Sequence, residues 1–175
     1  MRIEITGTIP KVFGLSKSEL KAAATYFAQR SQNRLSRLSS SSRPSQPSQL
    51  SQPSQPSQHP PWHEVVVNIV RDAESDECHQ AIMGVEGATD VITQAYDAIP
   101  PEEPGLYGEL IVNTDQAQRA APQRKGWSPA DELLLYVAHG MDHLSGADDH
   151  SEEDYTRMRR RELGWLKDFK RSLKT

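Results

Sequence analysis

Between residues 36 and 58 the chain is almost entirely serine, glutamine and proline, broken only by Arg37, Leu38, Arg43 and Leu50. Five triplets run in tandem from residue 44 to residue 58, four reading Pro-Ser-Gln and the third Leu-Ser-Gln. A repeat of this composition cannot bury enough apolar surface to offset the entropy of ordering it. Residues 31–61 therefore read as a disordered or polyproline-II-like insertion, not as a repeat architecture. Setting them aside leaves 144 of 175 residues, enough for one ordinary core. Residues 1–175 are expected to form a single domain, interrupted once. The insertion also accounts for part of the low apolar content, 35% against the roughly 45–50% of ordinary globular chains.

Several classes of protein are excluded at this level. The longest strictly apolar run covers residues 133–138, far short of the roughly 20 residues a spanning helix needs. The first residues include Glu4 and no apolar stretch, so no signal peptide is expected. Cys78 is the only cysteine, which leaves no internal disulfide and no cysteine metal cluster. A cytoplasmic location is the simplest expectation. The net charge of −4 argues against a generic nucleic-acid binder, but its distribution is uneven. Residues 157–175 hold eight Lys or Arg and two acids, a charge of +6 that leaves −10 on residues 1–156. That basic segment is either a solvated helix face complementing a helix C-terminus or a phosphate-binding patch.

Periodicity predicts the elements. Residues 2–6 alternate as a strand, and Ser16 with Glu19 forms a capping box for a helix reaching about Arg30. The β-branched run at 64–71 is a second strand, followed by a short helix over 74–83. Further strands are expected at 90–95 and 109–113, with loop between them. Thr114 or Asp115 is placed to cap a helix reaching about Lys125. Ser128-Pro129-Ala130-Asp131 opens a helix to about Leu144, and Ser151 starts the last one, whose stripe of Tyr155, Met158, Trp165, Leu166 and Phe169 reads as core. The order implies an α+β fold: a small mixed sheet of about four strands packed with helices.

Chemistry concentrates in residues 139–150, His-Gly-Met-Asp-His-Leu-Ser-Gly-Ala-Asp-Asp-His. His139 and His143, four apart on a helix, project from one face and can share an ion. Gly146 lets the chain turn back, bringing Asp149 or His150 toward that face. Three protein ligands leave a tetrahedral ion one open position for water, the arrangement of a catalytic site on a helix and the loop after it. The protease form of this pattern has glutamate after the first histidine, and here that position is Gly140. Asp142 lies about 100° around the helix from His143 and is a poor replacement.

His-Gly-x-x-His-x-x-Gly-x-x-[His/Asp] resembles the signature of the YbeY endoribonucleases, the bacterial rRNA maturation factors. Residues 87–93 (Gly-Ala-Thr-Asp-Val-Ile-Thr) look like that family's strand motif, and residues 106–113 are similar to the segment before a helix. Residues 126–133 resemble the lead-in to the histidine helix, and 152–158 its C-terminal helix. The resemblance covers about residues 64–166. It implies one zinc ion per chain, held by His139, His143 and Asp149, with spacing favouring Asp149 over His150. It further implies single-strand-specific RNA hydrolysis, maturation of the 3′ end of small-subunit (16S) rRNA and a part in late ribosome quality control. The expected partners are ribosomal RNA and the small subunit, with no membrane and no DNA.

The chain departs from the family pattern in three places. An aspartate ligand at 149 is harder than imidazole and loosens the preference for zinc over manganese. Ile82 and Met83 stand where many members have Tyr-Arg, so the phosphate contact is missing or comes from elsewhere, Arg159, Arg160 and Arg161 being the candidates. Asp142 replaces the usual leucine. Two other readings stay open: a non-catalytic assembly factor stabilised by its metal, and a small metalloprotease. Thr89 and Asp90 are candidates for orienting substrate or a ligand histidine. His59 and His63 read as exposed, His79 as a surface or core residue, and Trp62 and Trp127 as packing.

Overall fold

A computed structural model describes residues 1–41, 62–97 and 105–174. Four strands form one sheet: β1 (Arg2–Gly7), β2 (Trp62–Val70), β3 (Val91–Asp97) and β4 (Leu106–Asn113). Their spatial order is β1-β2-β4-β3; β1 and β4 run parallel to β2, and β3 runs antiparallel to β4. The five α-helices are α1 (Lys17–Ser41), α2 (Asp72–Met83), α3 (Thr114–Ala120), α4 (Pro129–Leu144) and α5 (Glu152–Ser172). The α+β expectation and the mixed four-stranded sheet both hold.

Strand alternation separates the two faces of the sheet. Ile3, Val65, Val67, Leu110 and Val112 are buried on one face, where they join Leu20, Phe27, Leu133 and Val137 in a single core under α1 and α4. Each such fully buried aliphatic side chain contributes about 1.5–3 kcal/mol. The other face carries a polar ladder, Thr6 to Asn68 to Glu109, linked by side-chain hydrogen bonds across β1, β2 and β4. Glycine 140 sets the distance between α4 and the sheet: a Cβ there would lie 2.7 Å from Leu110 Cδ2 and 3.2 Å from Val91 Cγ2.

Several boundaries differ from expectation. Helix α1 does not stop near Arg30 but continues to Ser41, so the expected insertion boundary at residue 31 falls inside a helix. The extra turns have partners: Ser31 is buried, its hydroxyl donating to the Ala28 carbonyl, and Arg34 donates to the Ser145 carbonyl at 2.9 Å. The remainder of that expected insertion, 42–61, lies outside the described residues, as does most of the expected loop at 99–105. Helix α3 is capped by Asn113, not by Thr114 or Asp115, because the Asn113 side chain accepts from both Asp115 N and Gln116 N. The same amide donates to Asp72 and to the Thr89 carbonyl, tying β4 to α2 and to the turn before β3. α3 ends at Ala120 and passes into a 3-10 turn containing Pro122, which cannot donate to the helix ladder.

The starts of α1, α4 and α5 match their signals, whereas α2 begins at Asp72, two residues before the expected 74. Ser16 and Glu19 exchange hydrogen bonds at the start of α1. Ser128 and Asp131 form the capping box of α4, and Ser151 caps α5.

Candidate metal centre

The C-terminal half of α4 is the structural basis of the site. Its histidines, one helical turn apart, bring Nε2 of His139 and Nε2 of His143 to 3.1 Å. Gly146, at φ +72°, turns the chain after the helix, and the loop returns Asp149 so that its carboxylate lies 3.6 Å from His139 Nε2 and 3.8 Å from His143 Nε2. The three ligand atoms lie within 4.8 Å of one another. Donor atoms sharing one tetrahedral ion at about 2.0–2.1 Å stand about 3.4 Å apart, so the spacing suits a small divalent cation.

Hydrogen bonding on the far side of each ring strengthens this. His143 Nδ1 lies 3.0 Å from the Ala147 carbonyl, which can only accept, so Nδ1 carries the proton. His139 Nδ1 meets the Glu162 carboxylate at 2.7 Å and donates to it likewise. In the neutral rings both Nε2 atoms are then bare lone pairs, facing each other and a carboxylate with no donor among them. Three converging acceptors make a candidate cation site, and a carboxylate or carbonyl behind each histidine is the arrangement that fixes a ligand ring and raises its basicity. Burial acts to lower the His139 pKa, but the Glu162 hydrogen bond and charge outweigh it and hold the ring above the ordinary histidine value.

His150 is not part of this group. Its side chain is 88% exposed and paired with Asp148, because the turn at Gly146 points residue 149, not 150, toward the helix. Thr89 lines a cleft of about 330 Å³ between α2, β3 and the end of α4, which His143 and Leu144 border on the other side. Asp90 is used locally, accepting from Val91 N and from the Thr89 hydroxyl. Met83 sits on the cleft rim, 60% exposed. Of the three arginines, Arg159 lies 3.3 Å from Glu162, Arg161 is bonded to Asp142, and Arg160 is exposed. Trp62 is buried and Trp127 half-buried against the core, and His63 is exposed; His59 lies outside the described residues.

Sequence reasoning missed three residues. Glu162 had a signal: it is an acid four residues after Met158, in register with the apolar stripe of α5, and such a position calls for a partner. His79 lines the cleft opposite His143 and was assigned no part in it. Arg34, inside the expected insertion, reaches Asp142 and Ser145 and could not be placed without knowing that α1 continues.

Two histidines and a carboxylate at the end of a buried helix, on a mixed sheet with helices packed on one face, define a small α+β protein with a candidate divalent-metal centre. The sequence pattern of the family described as "Endoribonuclease YbeY" matches residues 31–170. Curated relatives of that name include one from Rhodopirellula baltica, 36% identical over 59% of this chain and 52% of its own length. Another, from Kineococcus radiotolerans, is 36% identical over 61% of this chain and 66% of its own. A third, from Micrococcus luteus, is 37% identical over 51% and 59%. The aligned part of this chain thus spans about half to two thirds of these relatives. The solution structure of TM1509 from Thermotoga maritima shares the fold, with a TM-score of 0.51 and 20% identity over 97% of this chain and 92% of that one. The chain belongs to the YbeY endoribonuclease family.

Proposed function

We propose that this protein is a metal-dependent endoribonuclease acting on single-stranded segments of ribosomal RNA, with one zinc ion held by His139, His143 and Asp149. The observation that carries the reading is the pair of bare Nε2 atoms facing Asp149, each ring fixed from behind by Glu162 or the Ala147 carbonyl. When bound, such an ion polarises a phosphoryl oxygen and acidifies water. The protein's own groups orient the ligands, and the cleft beside His143 offers the adjoining surface for a nucleotide. Family membership supports RNA as substrate, and with it a role in maturing the 3′ end of small-subunit rRNA and in ribosome quality control in the cytoplasm. Among the described residues no helix is long and apolar enough to cross a membrane.

A protease is disfavoured by packing as well as by composition: a side chain at position 140 would enter the core at Leu110. Met83 on the cleft rim favours the second reading, a non-catalytic assembly factor in which the metal fixes the loop after α4.

Metal analysis of the wild type beside Asp149→Ala and His150→Ala, with the same samples incubated with structured rRNA, tests both readings. The expected result is about one zinc per chain, lost together with cleavage in Asp149→Ala and retained in His150→Ala. Stoichiometric metal without cleavage would favour the assembly factor, and a metal-free wild type under replete conditions would remove the central claim.

A further inference from the structure

The cleft beside His143 carries no fixed charge. Its polar lining consists of two histidines, His79 and His143, and two threonines, Thr89 and Thr93; among the described residues no Lys, Arg, Asp or Glu lines it. Such a surface is poorly suited to gripping a phosphate by charge, and well suited to neutral hydrogen bonding.

His79 on α2 is held in a defined orientation. Its Nδ1 lies 2.7 Å from the Gly87 carbonyl, while the Gly87 N–H donates to Asp76 on the same helix at 2.6 Å. Helix and turn are thus braced against each other through two adjacent bonds. A carbonyl only accepts, so Nδ1 holds the proton, and in the neutral ring Nε2 is a lone pair. No hydrogen-bond partner meets that Nε2 among the described residues.

A fixed acceptor selects a donor. A phosphodiester oxygen has no proton to give, whereas the ribose 2′-hydroxyl has one, and it is the group by which a protein tells RNA from DNA. We infer that His79 Nε2 accepts a hydrogen bond from the 2′-hydroxyl of a nucleotide in the cleft, which makes the cleft selective for RNA over DNA. The inference rests on the RNA reading above and adds a specificity-determining residue outside the metal ligands.

His79→Asn is the informative variant. Its amide nitrogen takes the place of Nδ1 and keeps the bond to Gly87, while nothing replaces Nε2. Binding is measured by fluorescence anisotropy at one salt concentration, using a short single-stranded RNA, its 2′-deoxy counterpart and its 2′-O-methyl counterpart. The wild type is expected to prefer RNA by about five- to ten-fold over both other strands. His79→Asn is expected to bring the ratio near one by losing RNA affinity alone. The 2′-O-methyl strand tests the claim on the unaltered protein, so a poorly folded variant does not remove the test. An unchanged ratio in His79→Asn, an equal loss on RNA and DNA (the sign of a base contact), or tight binding of the 2′-O-methyl strand would overturn the inference. If the wild type bound no RNA at all, the functional reading itself would fall, and this inference with it.

Discussion

Glu162 and Asp142 are both fully buried carboxylates on the two helices that build the site, and each has an α5 arginine beside it. Their surroundings give them different tasks. Asp142 is enclosed by permanent cations: Arg161 donates to it twice, Arg34 lies 3.5 Å away, and Arg34 also holds Ser145 at the start of the metal loop. Glu162 divides its two oxygens between Arg159 and a histidine whose other nitrogen faces the candidate ion. One acid ties three helices together, and the other holds a candidate ligand histidine. The contrast shows that burial and an arginine partner do not by themselves mark a functional carboxylate; what stands on its other side decides.

The largest effect expected is on stability. Asp142→Leu leaves two arginines facing a nonpolar group and should cost about 3 kcal/mol in denaturant unfolding, much of it recovered by adding Arg34→Met and Arg161→Met. Glu162→Gln keeps an acceptor for His139 but removes the charge. It should weaken metal binding about 10- to 100-fold in chelator competition while changing the stability of the metal-free protein far less. Equal losses of metal affinity in Asp142→Leu and Glu162→Gln would erase the distinction between the two acids.

Gly140→Ala, on α4 two residues before Asp142, gains helix propensity but must displace Leu110 and Val91; a net loss of about 1–2 kcal/mol is expected by thermal unfolding.

At the other end of α4, burial acts to raise the Asp131 pKa, but the bonds from Lys170 (2.5 Å) and Ser128 outweigh it and hold the carboxyl below its ordinary value. A depressed carboxylate stabilises the fold above the ordinary pKa of about 3.9 and loses that contribution as pH falls through the lowered one. Asp131→Asn should therefore cost about 1 kcal/mol at neutral pH and progressively less in acid, read from denaturation midpoints across pH.

The smallest effect concerns RNA contact by α5. Most of its cations are committed to ion pairs, and of the three consecutive arginines only Arg160 has none among the described residues. Arg160→Gln should change the log-salt slope of RNA binding by no more than about 0.7. A larger shift would mean that RNA opens the pairs around Asp142 or Glu162.

Much of the site was legible because it is local. A four-residue histidine spacing, a turn glycine and an acid ten residues on are facts of one segment, and helix geometry converts them directly into one candidate ion position. The strands and most helix starts were legible for the same reason, since alternation and caps act over a few residues. Glu162 and His79 reach the site from other helices, and their placement depends on packing that no short window contains. Arg34 was hidden by composition: a serine-rich context reads as disorder from residue 31 onward, although Ser31 and Arg34 have partners in the fold. The cap at Asn113 was displaced by one residue because Asn113, Thr114 and Asp115 can all accept at a helix start, and only the hydrogen bonds to Asp72 and Thr89 decide among them.

Because β1 and β2 are adjacent and parallel, the polypeptide between them is a crossover that must travel back along the sheet, and α1 makes that journey. In sequence, the Ser/Gln/Pro triplets fall between the helix end at Ser41 and the strand start at Trp62. Arg2 and Glu64 are paired across 62 residues of sequence, and the entropy of that closure is met where β1, an edge strand, docks on β2.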